Sequence, residues 1–306
     1  MKIAWTIAAS DSSSGAGIQA DLTTFNHFKI HGASIITKIT AQNTSKIIDS
    51  YTLPDQIFKA QLNCLAYDLI PDAIKLSVLG SVSQLDILIE YLEKFNVPII
   101  YDPVFKSTSD HTLTSEHLVD RICNKLFPYL TLITPNINEA EQLTKIKIKN
   151  KEDIINAAKI LLAMGIKNVL IKGGHLLTDV ASDYFSNSKE GYWILSQRQN
   201  LSMHVHGTGC HLSSAITANL SLGHTLNDAL IIAKSYINRS IRTSYLPNQT
   251  SKQLYISSIQ SQIQHSDFPY LIKSHLDISN FFKSNQAIPC GNLGLYPIVD
   301  NKKWVL

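Results

Sequence analysis

KEDIINAAKILLAMGIKNVLIKGGH, residues 151–175, decides the fold. Its apolar residues recur at helical spacing from Lys151 to Met164, and Gly165 suits the left-handed position that follows a helix end. Asn168-Val169-Leu170-Ile171 is then a short apolar run of the kind that forms a buried strand, and Lys172-Gly173-Gly174-His175 ends it in a turn. A helix that feeds a buried strand is half of a β-α-β unit. Working outward, the same alternation places strands at 3–9, 33–39, 73–78, 97–102, 130–134 and 168–172, with helices between them. From residue 1 to about 245 the pattern predicts an α/β domain, a mostly parallel sheet with helices on both faces. Ligands of such sheets gather beyond the carboxyl ends of the strands. Four polar or glycine-bearing stretches fall there: Ser10–Gly17, Asp102-Pro103, Thr134-Pro135-Asn136 and Lys172–His175.

The chain has 306 residues, 44% of them hydrophobic, enough for a substantial core. Its 27 basic and 24 acidic side chains leave a formal charge of +3 with no basic stripe, which points to small molecules as partners and away from nucleic acid. Cys64, Cys123, Cys210 and Cys290 have neither the spacing of a zinc site nor the density of a secreted disulfide framework, so the expected compartment is the cytoplasm. The apolar start, Ile3 to Ala9, runs into Asp11 without a cleavage signature and reads as a first strand and not as a leader. No run of about 18 apolar residues is present, so no membrane span is expected.

His206-Gly207-Thr208-Gly209-Cys210 opens into a small-residue helical stretch. Two glycines around a threonine let successive N–H groups converge on an anion, and the helix adds its positive end. Cys210 at that helix start would be favoured as a thiolate. A loop ending in a half-buried cysteine is the plainer alternative. In the first loop the glycines allow a tight strand-to-helix turn and Asp21 projects from the helix, unless the polar residues only cap it. Asn136 and Glu139 stand three apart at a helix start, an arrangement suited to Mg²⁺ through water or to ordinary dipole compensation. Lys172 can reach a nucleotide phosphate or simply be solvated. Phosphoryl transfer needs a phosphate cradle, a divalent cation and an aligned acceptor, and the chain lacks both the P-loop and the protein-kinase motifs.

Together ASDSSSGAGIQAD (9–21), TAQNT (40–44), DPV (102–104), LITPNINEAE (132–141), IKGGH (171–175) and HGTGC (206–210) carry a resemblance to the hydroxymethylpyrimidine/phosphomethylpyrimidine kinases of thiamine biosynthesis, across residues 1–245. The resemblance implies a ribokinase-like three-layer α/β/α fold, ATP and Mg²⁺ as cofactors, a pyrimidine substrate and a homodimer. It puts Cys210 at the catalytic position, to deprotonate or steer the acceptor. Gly207, Thr208 and Gly209 would form the anion hole, with Lys172, Asn136, Thr208 and Gly209 at the nucleotide. Glu139 and Asn136 would organise the metal and its water. Gln42 and Asp21 would hydrogen-bond the aminopyrimidine, while Val104, Val78 and Ala9 would line its pocket.

The chain departs from the family pattern at four points. Ala9 and Ser14 stand where glycines are common, Val78 stands where a methionine is expected, and the lid motif reads Thr108-Ser109-Asp110-His111 without its glycine. Two rival readings follow: a pyridoxal or pyridoxine kinase, and a pyrimidine-binding relative impaired in catalysis. Residues 246–289 read as a polar linker. Residues 290–306, with Leu293–Asp300, resemble the first strand of thiamine-phosphate synthase, a barrel sometimes fused behind this kinase.

Overall fold

A computed structural model describes residues 1–106, 112–173, 180–199, 201–257 and 262–273. In chain order the elements are β1 (Ile3–Asp11), α1 (Gly17–His27), β2 (His31–Gln42), β3 (Ile47–Thr52), α2 (Asp55–Asp68), β4 (Ala73–Leu76), α3 (Val82–Leu92), β5 (Ile99–Tyr101), α4 (Glu116–Lys125), β6 (Leu132–Ile133), α5 (Ile137–Thr144), α6 (Lys151–Ala163), β7 (Asn168–Ile171), β8 (Val180–Asn187), β9 (Gly191–Gln197), α7 (Thr208–Ser221), α8 (Leu226–Arg242) and β10 (Tyr270–Lys273). Gly165 has φ of +99°, the left-handed stop expected after α6.

The strands form one sheet in the order β10-β9-β8-β7-β6-β5-β4-β1-β2-β3. From β7 to β2 every pairing is parallel, whereas β3 on one edge and β8, β9 and β10 on the other are antiparallel. The central strands are buried on both faces, so successive residues go to opposite cores. Ile99, Tyr101, Ile133, Val169 and Ile171 join the core under α2, α3, α4 and α6, while Ile100, Leu132 and Leu170 join the one under α7 and α8. This is the three-layer α/β/α arrangement, and all six anticipated strands lie within it.

Part of the polar segment read as a partly ordered linker packs on the domain. Tyr270–Lys273 pairs with β9 as the sheet's edge strand, and the fully buried Asp267 receives Arg242 through Nη2 at 2.8 Å. Further back, Leu254 bridges Val205 beside the HGTGC loop. A few apolar residues and the ion pair from half-buried Arg242 to buried Asp267 dock this Ser/Gln-rich segment. Residues 274–289, the C-terminal stretch 290–306 and the lid residues Thr108–His111 lie outside the described residues.

Candidate active site

The HGTGC loop becomes the start of α7. Gly207 is the N-cap, in the left-handed region at φ of +73°, with no side chain capping the helix. The first intrahelical bond is donated by His211 N–H to the Gly207 carbonyl at 3.0 Å. The N–H groups of Thr208, Gly209 and Cys210 precede it and point out of the helix end, free of intrahelical partners.

Glycine is required here by contact as well as by φ. A Cβ at position 207 would lie 1.8 Å from the Gly15 carbonyl oxygen, and one at 15 would lie 2.0 Å from His206 Cδ2. The Ser10–Gly17 loop and the HGTGC loop therefore interlock. Gly207→Ala should displace both loops and abolish phosphotransferase activity. Full activity in that variant would show that the anion hole does not depend on this fit.

Beneath the helix start lies a cluster of buried charges from separate strands. Lys172, at the end of β7, donates to Asp102 Oδ1 at 2.6 Å, and Asp102 also accepts from Thr134 Oγ1 at 3.2 Å and Ser213 Oγ at 3.3 Å. A Cβ at Gly209 would fall 3.1 Å from Lys172 Nζ, so that glycine lets the ammonium come up to the helix end. Deeper still, Lys75 Nζ donates to both Asp21 oxygens at 2.8 Å, and neither side chain is exposed.

That arrangement corrects the placement of Asp21. Its Oδ1 also accepts from Ser214 Oγ at 2.6 Å and its Oδ2 from Thr6 Oγ1 at 2.5 Å, so its lone pairs are taken by the protein. A buried charge held by four hydrogen bonds from three side chains is a structural anchor and has no exposed edge for a pyrimidine. Asn136 and Glu139 are likewise engaged with each other first. Asn136 caps α5, its Oδ1 accepting Glu139 N–H at 2.9 Å, while Glu139 Oε2 accepts Asn136 N–H at 2.6 Å. Glu139 is buried and Asn136 half-buried, so this is not the surface helix start the sequence also allowed.

Burial pushes the Glu139 carboxyl up to about 7, with Lys172 opposing and Asp102 reinforcing the shift. Three carboxylates, Asp21, Asp102 and Glu139, face two lysines, Lys75 and Lys172. Glu139 is the acid left under-compensated. Among the described residues no group of three or more His, Cys, Asp or Glu side chains forms a metal cage.

Cys210 is buried, and desolvation pushes its thiol up to about 11; Lys75 draws it down while Asp102 and Asp21 push it further up. The expected resting thiolate is therefore corrected: the sulfur is a neutral thiol near pH 7. Helix-end position and one lysine do not outweigh burial beside two carboxylates.

A small apolar wall completes the cleft. Ala9, Val78, Ile47 and Leu113 form one cluster with Val104 packed against it. The three wall residues expected from the sequence meet there, while Ile47 and Leu113 had no local signal. Gln42, at the end of β2, directs its side-chain amide at His206, 3.2 Å away. Ser14 has φ of +62°, in the left-handed region where glycine carries no steric cost, which accounts for the family's glycine at that position.

The phosphomethylpyrimidine kinase family model matches residues 11–254. A hydroxymethylpyrimidine/phosphomethylpyrimidine kinase from Streptomyces coelicolor is 35% identical over 240 residues, 78% of this chain and 88% of that protein. The solved phosphomethylpyrimidine kinase from Clostridium difficile superimposes with a TM-score of 0.69 at 37% identity, over 79% of this chain and 100% of that one. Pyridoxal kinase from Staphylococcus aureus, in complex with AMP-PCP and pyridoxal, superimposes with a TM-score of 0.76 at 31% identity, covering 84% and 93% of the two chains. The chain belongs to the phosphomethylpyrimidine kinase family.

Proposed function

We propose that this protein transfers the γ-phosphoryl group of ATP to the hydroxymethyl oxygen of 4-amino-5-hydroxymethyl-2-methylpyrimidine, and then to the monophosphate, giving the diphosphate used in thiamine synthesis. One observation carries the reading. The open N-terminus of α7 sits directly above the Lys172–Asp102 pair, with the Cys210 thiol three positions into the helix. Such a site is suited to a transferring phosphoryl group, whose transition state spreads negative charge over three oxygens.

In this reading the N–H groups of Thr208 and Gly209 receive the phosphoryl oxygens, and Lys172 neutralises the nucleotide phosphates. Asp102 holds that lysine in place. The sulfur of Cys210 accepts a hydrogen bond from the substrate alcohol and aims its oxygen in line with the β,γ-bridge. The bridging P–O bond breaks as the new O–P bond forms, the alcohol proton passes late to an oxygen of the transferred phosphoryl group and from there to solvent, and ADP leaves. A loose transition state calls for late proton loss, so a neutral sulfur suffices to steer. Gln42 contacts the ring and the Ala9–Val78–Val104 wall packs on it.

Glu139, with Asn136 beside it, would be the residue to hold Mg²⁺, through water, beside the nucleotide. An under-compensated buried carboxyl is the group a dication would ionise. Bound there, Mg²⁺ would neutralise charge on the β- and γ-phosphates. Asn136 supports it by holding the Glu139 backbone.

A cytoplasmic homodimer belongs to the same reading. Ile39, Ile48 and Tyr51 are 48%, 67% and 63% exposed on the β2–β3 edge, which supports a second copy there. Among the described residues no helix is long and apolar enough to cross a membrane.

The pyridoxal reading is favoured by the likeness to the Staphylococcus aureus pyridoxal kinase in fold and at 31% identity. Steady-state kcat/KM with Mg-ATP should be at least tenfold higher for the aminopyrimidine alcohol than for pyridoxal. The reverse ratio would replace the pyrimidine by pyridoxal as substrate.

A further inference from the structure

Asp11, Gln42 and His206 come from the ends of β1 and β2 and the loop before α7, and they meet at one point. His206 Nε2 lies 3.2 Å from Asp11 Oδ2 and 3.2 Å from the Gln42 amide. The ring is held on every side. The residue is 6% exposed, its backbone N–H donates to the Leu254 carbonyl at 2.8 Å, Tyr255 meets the ring edge-on at 5.8 Å, and Gly15 lies flat against its Cδ2.

Asp11 settles where the imidazole proton sits. Its Oδ1 accepts Ser13 N–H and Ser13 Oγ, both at 2.8 Å, and its Oδ2 accepts the N–H groups of Gly15 at 3.1 Å and Ala16 at 2.9 Å. Burial opposes ionisation, but the His206 and Ser13 bonds outweigh it and hold the carboxyl below its usual range. A carboxylate facing His206 Nε2 requires a proton there, because a lone pair in that place would be repelled. Among the described residues Nδ1 has no hydrogen-bond partner, as suits the tautomer with its proton on Nε2.

That proton decides the Gln42 amide. Nε2 of Gln42 points at His206, and Oε1 lies 3.5 Å from Thr40 Oγ1. With N–H on His206 this sets donor against donor. Turning the isosteric amide by 180° removes the conflict: the oxygen shares the His206 N–H with Asp11 Oδ2, and the NH₂ reaches Thr40, whose hydroxyl already donates to the Ser10 carbonyl at 3.0 Å.

We propose that Asp11 and His206 are positioning residues that lock the Gln42 amide with its oxygen inward, so that it presents an N–H to the substrate and selects rings offering an unprotonated nitrogen. This rests on the reading that Gln42 contacts the ring. It adds a reason for a histidine before the anion hole: the ring-binding and phosphate-binding loops share one proton.

The test is KM for the aminopyrimidine alcohol, alongside kcat and KM for ATP, in Gln42→Ala, His206→Ala, His206→Gln and the Gln42→Ala/His206→Ala pair. A glutamine at 206 returns an N–H near the position of Nε2. Each alanine variant should raise the pyrimidine KM about tenfold with KM for ATP unchanged, and the pair should be no worse than Gln42→Ala alone. His206→Gln should recover most of the loss. Losses that add in the pair, or a His206→Gln no better than His206→Ala, would overturn the coupling. An unchanged KM in Gln42→Ala would overturn both the ring contact and this inference, while phosphoryl transfer in the same enzyme would stand.

Discussion

Cys210→Ala should lower kcat for the pyrimidine alcohol by about 100-fold, the cost of a misplaced nucleophile, while leaving KM for ATP unchanged. The same substitution should slow phosphorylation of the monophosphate by less than tenfold. The two acceptors differ in what they need. An alcohol must be aimed and must lose a proton, whereas a phosphate monoester has already ionised, its second pKa being about 6. Cys210→Ser should recover part of the first step because a hydroxyl also accepts the hydrogen bond.

The pH dependence follows from the buried thiol. With its ionisation pushed up to about 11, the thiolate fraction would rise tenfold per pH unit between 7 and 9. A steering sulfur imposes no such rise, so kcat of the unmodified enzyme should be flat over that interval once the monophosphate and ATP are fully ionised. A unit slope lost in Cys210→Ala would show the thiolate to be a base.

Lys172→Met should have the second large effect, a fall in kcat of about 10²- to 10³-fold, the range seen when one preorganised charge-stabilising group is removed. It should also destabilise the fold by about 3 kcal/mol, because Asp102 is wholly buried and would be left without its ammonium. Lys172→Met/Asp102→Asn separates the two effects. Removing both charges should restore most of the thermal stability and none of the activity. If the double variant recovered kcat, Lys172 would act only as a counter-ion.

The parts legible in the sequence were those set by neighbours in the chain. Asn168–Ile171 is a strand because a short apolar run follows a glycine stop, and Gly207 is the N-cap of α7 because two glycines flank a helix start. Strands β8 and β9 were not anticipated. Val180–Asn187 reads VASDYFSN, and its polar letters suggest a loop. The structure buries Ser182 and Asp183 all the same, Asp183 receiving Lys234 Nζ at 2.6 Å and Gly173 N–H at 3.1 Å.

The same limit governs the site. Asp102 reads as the end of a strand, and Lys75 only as a position within the 73–78 strand. Their roles depend on partners 70 and 54 positions away, Lys172 and Asp21. No local pattern encodes such a pair. Asp21 was misplaced for that reason: a carboxylate on a first-loop helix looks available until a lysine from another strand is found beneath it. The Cys210 thiol was misjudged likewise, since its helix-end position is visible in the sequence and the desolvation that outweighs it is not.

The central claim is that one centre, the α7 N-terminus over Lys172, phosphorylates the pyrimidine twice. The most direct measurement is to incubate the protein with Mg-ATP and 4-amino-5-hydroxymethyl-2-methylpyrimidine and follow products by mass spectrometry over time. Monophosphate should appear first and diphosphate after it, both lost together in Lys172→Met. Formation of neither phosphate, with pyridoxal phosphorylated under the same conditions, would contradict the account.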